Sequence, residues 1–440
     1  MKLASWLTRS AHTVPDRIAV ASAVERLTYA ELEHRAASAA RRLAGRGVGR
    51  GTRVAVAMDA SVEYVVLLHA LMKVAAIAVP IDPRLAQAEL QERLDEVEPA
   101  LVIRDLAEVL EAPEAEPRSG TERDLRTVHS IVHTSGSGGR AQPVELTYGN
   151  HLWSAVGSGA RIGVDPGDLW LCCLPLHHVG GLAIVMRSAL YGTGLLVQRF
   201  EAGPVASLVA SERPTLASLV GTMLQRLLEE GAQLERLRCV LLGGGPAPPS
   251  LIDDALGAGV PITPTYGLTE AASQVTTLPP DQVRRKPGSA GTPLFPCAVR
   301  TEDGVIAVRG PNVSEGAVDA DGWLRTGDLG RIDEEGHLYV LGRADDVIVT
   351  GGENVSPEEV ERTLLAHPAV EDAAVSARED SEWQQAIVAT VVLRDGASLT
   401  GEELREFCRA RLAAFKVPKA VAFAEKLPRN EQGKLERRKL

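Results

Sequence analysis

Apolar and polar positions along this chain follow two alternating periods. Over 28–43 leucine and alanine recur at helical spacing, Thr28 is followed by Glu31 as a capping box, and Gly45 and Gly47 supply stop signals. The pattern then predicts a strand at 53–58, a helix at 61–74, a strand at 76–79, a helix at 86–96 and a strand at 100–103. Such alternation implies largely parallel sheets covered by helices. The stretch 105–127 is rich in Glu, Pro and Arg without a period and reads as a surface excursion carrying at most a short helix. Strands resume at 130–134, 170–174, 195–197, 216–219, 239–242 and 261–265, most of them followed by helical segments.

Beyond Pro293 the pattern changes to short β-rich runs punctuated by glycine, at 305–309, 323–325, 330–333 and 337–341, which suggests a small β-barrel-like part or a meander. Helices near 357–365 and 401–412 flank a strand at 386–393, giving a compact α+β unit of about 100 residues. The fold class expected is therefore α/β. A large N-terminal domain, 1–342, precedes a small C-terminal domain, 343–440, with the boundary near 343–346.

Composition narrows the function. The 440 residues are 45% hydrophobic and 24% charged, as in ordinary globular proteins, and are too many for one core. A net charge of -11 argues against nucleic acid or an anionic membrane as the main partner. The basic run from Lys434 to Lys439 reads as a solvated terminus. Five cysteines without C-x-x-C spacing indicate neither a disulfide framework nor a zinc site, and fit a reducing compartment. No apolar run reaches the ~18 residues that span a bilayer, and the first residues lack a secretory core, so a cytoplasmic location is expected. Whether copies of the chain associate into a homo-oligomer is left open.

The chemistry begins with Thr134-Ser135-Gly136-Ser137-Gly138-Gly139, directly after a predicted strand. Glycines let backbone N–H groups approach anionic oxygens, and hydroxyls add donors. No Gly-Lys-Ser/Thr follows, so this is not a Walker A loop, and alone such a segment is more often a turn than a phosphate site. It does not stand alone. Thr265-Tyr266-Gly267-Leu268-Thr269-Glu270, Gly327-Asp328, Gly342-Arg343-Ala344-Asp345-Asp346 and Gly433-Lys434 follow in order.

Together these motifs resemble the adenylate-forming superfamily of acyl-CoA synthetases, peptide-synthetase adenylation domains and luciferases, and they spread over nearly the whole chain. Three stretches, 146–155, 170–182 and 266–274, are similar to the branch that ligates o-succinylbenzoate to coenzyme A in menaquinone biosynthesis. The resemblance implies an enzyme that uses ATP, Mg2+ and coenzyme A to turn a carboxylic acid into an acyl adenylate and then a thioester. It implies that the 134–139 loop and Thr269 contact phosphate, that Glu270 is the magnesium ligand, and that Asp328 and Arg343 hold the ribose. Gly243, Gly244 and Gly245 would wall the adenine, with Thr265, Tyr266 and Gly267 beside it and Tyr266 offering a stacking face. Lys434 would bridge the substrate carboxylate and the α-phosphate during adenylation. Asp345 matches the hinge of a mobile C-terminal domain, and Gly351, Gly352, Glu353 and Asn354 match the segment facing coenzyme A. His178 matches the histidine at the acid-pocket end of the thiol channel, and Ser273 is a second candidate there.

One position departs from the pattern. Gln142 stands where most relatives place the phosphate-loop lysine, and Arg140 is the candidate replacement charge. Two other readings follow: an adenylating enzyme for another acid or a carrier-protein thiol, and a weakened protein that binds an adenylate without turnover. The residues that read a second substrate carboxylate are not identified by the sequence.

Overall fold

A computed structural model describes residues 2–117, 122–134, 142–350, 353–380, 384–429 and 435–440. Two α/β sheets dominate. In the larger, nine strands run in the spatial order Thr292–Pro293, Ser273–Thr277, Ile262–Leu268, Cys239–Leu242, Leu216–Leu219, Leu169–Cys172, Gly194–Val197, Ile18–Ala21 and Arg26–Thr28. Pairing is parallel from Ile262–Leu268 through to Ile18–Ala21 and antiparallel at both edges. Every residue of Gly194–Val197, Leu216–Leu219 and Cys239–Leu242 is buried. Unbroken apolar runs are what strands covered on both faces require.

The second sheet orders Leu101–Ile103, Arg53–Val56, Ile77–Pro80, Val128–His133 and Pro143–Thr147. It is parallel except for its last pair. One buried cluster contains strand residues of both sheets together with the helices Tyr29–Gly45, Val62–Lys73, Tyr148–Ile162 and Val179–Tyr191. The expected capping box is present: the Glu31 N–H donates to Thr28 Oγ1 (3.3 Å) and the Thr28 N–H to Glu31 Oε2 (2.8 Å).

The excursion at 105–127 holds the short helix Leu106–Leu110 and also a strand, Glu122–Asp124, paired antiparallel with Lys2–Ala4. A Glu-Arg-Asp strand carries no apolar alternation. Arg123 fixes it instead, donating from Nε and Nη2 to Met72 O (2.8 and 2.6 Å) and from Nη2 to Lys73 O (2.6 Å). A guanidinium on the last carbonyls of a helix meets acceptors at the negative end of the helix dipole.

The β-rich part is a four-stranded antiparallel meander, Ala298–Glu302, Val305–Arg309, Leu324–Ile332 and Leu338–Arg343. The strands expected at 323–325 and 330–333 are one strand. Its pairing shifts between Leu329 and Gly330, where glycine interrupts the apolar signal but not the backbone ladder. The C-terminal domain packs the helices Pro357–Leu365 and Gly401–Arg409 on a five-stranded sheet whose longest strands are Val370–Asp380 and Gln384–Leu393, around a separate apolar core. Among the described residues no helix is long and apolar enough to cross a membrane.

Candidate active site

The phosphate-loop candidate sits at a hairpin whose neck is defined. Thr134 N–H donates to Gln142 O (2.9 Å) and Gln142 N–H to Thr134 Oγ1 (3.2 Å), closing the chain where Val128–His133 passes to Pro143–Thr147. Ser135, Gly136, Ser137, Gly138, Gly139 and Arg140 lie outside the described residues. Gln142 thus contributes its backbone to the neck while its side chain is exposed.

Across the larger sheet, Ile262–Leu268 carries Thr265, Tyr266 and Gly267 into a second hairpin with Ser273–Thr277. A Cβ on Gly267 would lie 1.8 Å from Ser273 O, so this close approach requires glycine. Thr265 Oγ1 donates to Thr276 O (2.7 Å), anchoring one strand to the other. Thr269 and Glu270 occupy the single 3-10 turn between them, both half-buried. That turn is stapled from outside: Ser314 N–H donates to Glu270 O (2.7 Å), and Ser154 Oγ to Ala272 O (2.6 Å). Ala272 and Ser273 both adopt positive φ, 50° and 103°, conformations that persist only where surroundings impose them.

Tyr266, Asp328 and Arg343 come together as one polar chain. The Tyr266 hydroxyl donates to Asp328 Oδ2 (2.6 Å) and Arg343 Nη1 to Asp328 Oδ1 (3.0 Å). The register of the meander makes this possible, because Asp328 and Arg343 face each other across adjacent strands. Burial, and then the Asp328 carboxylate, push the Tyr266 phenol far above its ordinary value, so it stays a donor. Gly327, at φ 71°, lies against the Arg343 guanidinium, where a Cβ would be 3.0 Å from Nη2. Tyr266 is 9% exposed and also belongs to the apolar cluster of the meander. Gly243 and Gly244 are crowded as a wall would be: a Cβ on either would stand 2.9 Å from Thr265 or Val220. Gly245 has open space where a Cβ would go.

His178 immediately precedes Val179–Tyr191, its ring 4.3 Å from that of His177. His177 Nε2 lies 3.5 Å from Asp82 Oδ2, and Arg84 forks onto the same carboxylate from Nε (2.8 Å) and Nη2 (2.9 Å). Burial pushes His177 down to about 4 and His178 to about 3, so both imidazoles are neutral at pH 7. Burial opposes the charge of Asp82, yet the Arg84 hydrogen bonds outweigh it and keep that carboxyl below its usual value.

Arg187, nine residues along the same helix, is the feature that sequence reasoning missed. It is 2% exposed and is the largest fully buried side chain among the described residues. Nη1 donates to Ser158 Oγ and to Gln274 Oε1 (both 2.9 Å), Nε to Ala183 O (3.1 Å), and the guanidinium lies 4.8 Å from the Trp170 ring centre. All of these partners are neutral. The available signal was a single arginine inside the apolar run Ala183–Leu190.

Of the remaining candidates, Asp345 lies in the 3-10 turn Ala344–Asp346, and Glu353 and Asn354 open the strand Glu353–Val355. Gly351, Gly352 and Lys434 fall outside the described residues.

A two-sheet α/β body with a hairpin neck closed by Thr134 and Gln142, a carboxylate braced by tyrosine and arginine, and a small α+β domain following it along the chain defines an enzyme of the nucleotide-adenylating class. Residues 7–317 match the AMP-binding enzyme family and residues 359–434 match the AMP-binding enzyme C-terminal domain. The chain belongs to the AMP-binding enzyme family. Within it, the chain is 41% identical to the 2-succinylbenzoate–CoA ligase of Bacillus cereus strain ATCC 14579 over 471 aligned residues, covering 99% of this chain and 97% of that one. Among solved structures it is similar to O-succinylbenzoate coenzyme A synthetase (MenE) from Bacillus subtilis in complex with AMP, with TM-score 0.92 and 35% identity over 100% of this chain and 98% of that one. The same enzyme in complex with the acyl-adenylate intermediate OSB-AMP gives the same values. ATP-bound MatB from Rhodopseudomonas palustris follows at TM-score 0.91 and 26% identity, covering 99% of this chain and 97% of that one.

Proposed function

We propose that the protein is a cytoplasmic ATP-dependent acid–thiol ligase of menaquinone biosynthesis that converts o-succinylbenzoate to o-succinylbenzoyl-CoA. The observation that carries this reading is the similarity of the entire chain to 2-succinylbenzoate–CoA ligases. In the first half-reaction a substrate carboxylate oxygen bonds to the ATP α-phosphorus as the bond to pyrophosphate breaks, leaving an acyl adenylate. In the second, the coenzyme A thiol attacks the acyl carbon, AMP departs, and the thiol proton passes to solvent.

The chain's own groups divide this work. Thr134 and the loop after it, with Thr269, donate to the phosphates; Asp328 and Arg343 hold the ribose; Gly243, Gly244, Gly245 and Tyr266 enclose the adenine. Glu270 is a hard oxygen donor suited to Mg2+, which when bound to the phosphates offsets their charge and usually takes only one or two protein carboxylates. Lys434 follows the charge that develops between carboxylate and α-phosphate, a contact whose loss costs roughly 3–4 kcal/mol in the transition state. In this reading 1–342 forms the adenylating domain, and 343–440 turns about a hinge near 343–346 to bring 351–354 toward coenzyme A.

Arg187 belongs in the same scheme. A guanidinium keeps its charge even when buried, and its cost is recovered only against an anion or a full set of acceptors. Gln274, which orients it, sits four residues beyond Glu270 in the same motif. The second carboxylate of a diacid supplies the missing countercharge, so Arg187 reads the ring carboxylate of o-succinylbenzoate. The test compares o-succinylbenzoate with 3-benzoylpropionate, which lacks that group. Wild type favours the diacid, and Arg187→Met raises its KM roughly 10- to 100-fold, as expected for a lost charged hydrogen bond, while leaving the monoacid and ATP little affected. An equal loss on both acids would remove Arg187 from substrate recognition.

A further inference from the structure

The basic run at the C-terminus is not solvated throughout. Lys439 is 63% exposed at its side chain, as expected, but Arg437 is only 18% exposed and is gripped by three carboxylates from two segments. Nη2 donates to Glu358 Oε1 (2.9 Å) and Glu361 Oε2 (3.1 Å), and Nη1 pairs with Glu361 Oε1. Nε reaches Asp346 Oδ2 (3.4 Å), in the turn beside Asp345, and Nη1 donates to Val375 O (3.3 Å). Glu361, 8% exposed, also accepts from the Val375 N–H (2.7 Å). Burial opposes the charge on Arg437, but Glu361 and Glu358 outweigh it and hold the guanidinium firmly protonated.

A second clamp lies on the other side of residues 430–434 along the chain. Arg429 forks onto Asp372, from Nη2 to Oδ1 (2.7 Å) and Oδ2 (2.9 Å) and from Nε to Oδ2 (3.0 Å). Between the clamps Arg429 bridges Leu435, Glu436 N–H donates to Pro428 O (2.9 Å), and Leu435 packs on the cluster of Ala374, Val392 and Leu427. Both ends of the segment that carries Lys434 are thereby fixed to one strand, Val370–Asp380, and on one side also to helix Pro357–Leu365 and the turn at Asp346. Bidentate arginine–carboxylate pairs set orientation as well as attraction, which suits them to hold a loop in register.

We infer that Arg437, with Arg429 as its counterpart across the neck, is a positioning residue for Lys434 in adenylation. The inference rests on the reading of Lys434 given above. Arg437 touches no substrate; it fixes where the chain leaves the lysine-bearing segment and ties that point to the carboxylate beside the hinge. A displacement of about 1 Å in a catalytic group can cost on the order of 100-fold in rate.

The two half-reactions separate this role from general support of the fold. Adenylation is read by o-succinylbenzoate-dependent exchange of labelled pyrophosphate into ATP, and thioester formation by supplying preformed o-succinylbenzoyl adenylate with coenzyme A. Arg437→Gln is expected to slow exchange between 10- and 100-fold, as for a displaced catalytic group, while thioester formation stays near wild type. In a Lys434→Ala background it adds no further loss, because the group it positions is gone. Arg437→Lys, which keeps the charge without the fork, recovers part of the exchange rate. Arg429→Gln, at a more exposed clamp, carries the same test should Arg437→Gln fail to fold. Equal losses in both half-reactions, or a loss that adds in full to that of Lys434→Ala, overturns the inference. Undiminished exchange in Lys434→Ala alone overturns the reading of Lys434 and the inference with it.

Discussion

At the scale of single residues, Asp328 concentrates most of the nucleotide recognition we propose. Its two oxygens already accept from Tyr266 and Arg343, and in the proposed role each has a second lone pair to offer a ribose hydroxyl. Asp328→Asn removes the countercharge of Arg343 and reverses one hydrogen-bond polarity. The KM for ATP is expected to rise roughly 10- to 100-fold, the range of a lost charge-assisted contact, with the KM for the acid much less changed. Steady-state kinetics with each substrate varied in turn checks this. Asp328 and Arg343 were legible before the structure because each sits in a recognisable motif. Arg187 was not. It stands in an apolar helix without a motif, and its meaning depends on what surrounds it, on Ser158 and Gln274 from distant parts of the chain.

At the scale of elements, buried strands were readable as apolar runs, whereas short polar strands were not. Glu122–Asp124 and Ser273–Thr277 are polar, and they are strands because of what they pair with, Lys2–Ala4 in one case and Ile262–Leu268 in the other. The packing of elements also creates a feature that no single segment announces. His69 on Val62–Lys73, His129 on Val128–His133 and His151 on Tyr148–Ile162 are buried together, the rings of His129 and His151 4.7 Å apart. His151 Nε2 shares a hydrogen bond with Ser130 Oγ (3.0 Å).

Burial pushes His69 and His151 from 6.5 down to about 3, and lowers His129 well below 6.5, with the other two histidines adding to the effect. Between those limits the unfolded chain binds more protons than the folded one, so stability is full above pH 6.5 and is lost as pH falls toward 3. The slope expected is on the order of 1 kcal/mol per pH unit for each histidine. Thermal melting across that range should show the midpoint falling below pH 6.5, and His151→Asn should flatten the fall.

For the whole molecule, the order of motifs along the chain matches the order in which the fold delivers them. The smaller sheet offers the hydroxyl loop at a hairpin neck, the larger sheet offers the turn of Thr269 and Glu270, and the meander offers Asp328 and Arg343. The C-terminal domain then offers the segment that carries Lys434. Four parts of the fold thus each carry one of the motifs we assign to an adenylating site, which is why motifs scattered over the chain could be read as a single function. The identity of the acid was legible in the stretches 146–155, 170–182 and 266–274, whereas the residues that read its second carboxylate were not, because no motif marks them.

The most direct test supplies the purified protein with Mg2+, ATP, coenzyme A and either o-succinylbenzoate or a panel of other aryl and fatty acids, and identifies the products by chromatography. The expected result is o-succinylbenzoyl-CoA and AMP in equal amounts, with kcat/KM highest for o-succinylbenzoate. AMP and thioester formed preferentially from another acid would contradict the substrate assignment, and no AMP from any acid would contradict the assignment of a ligase.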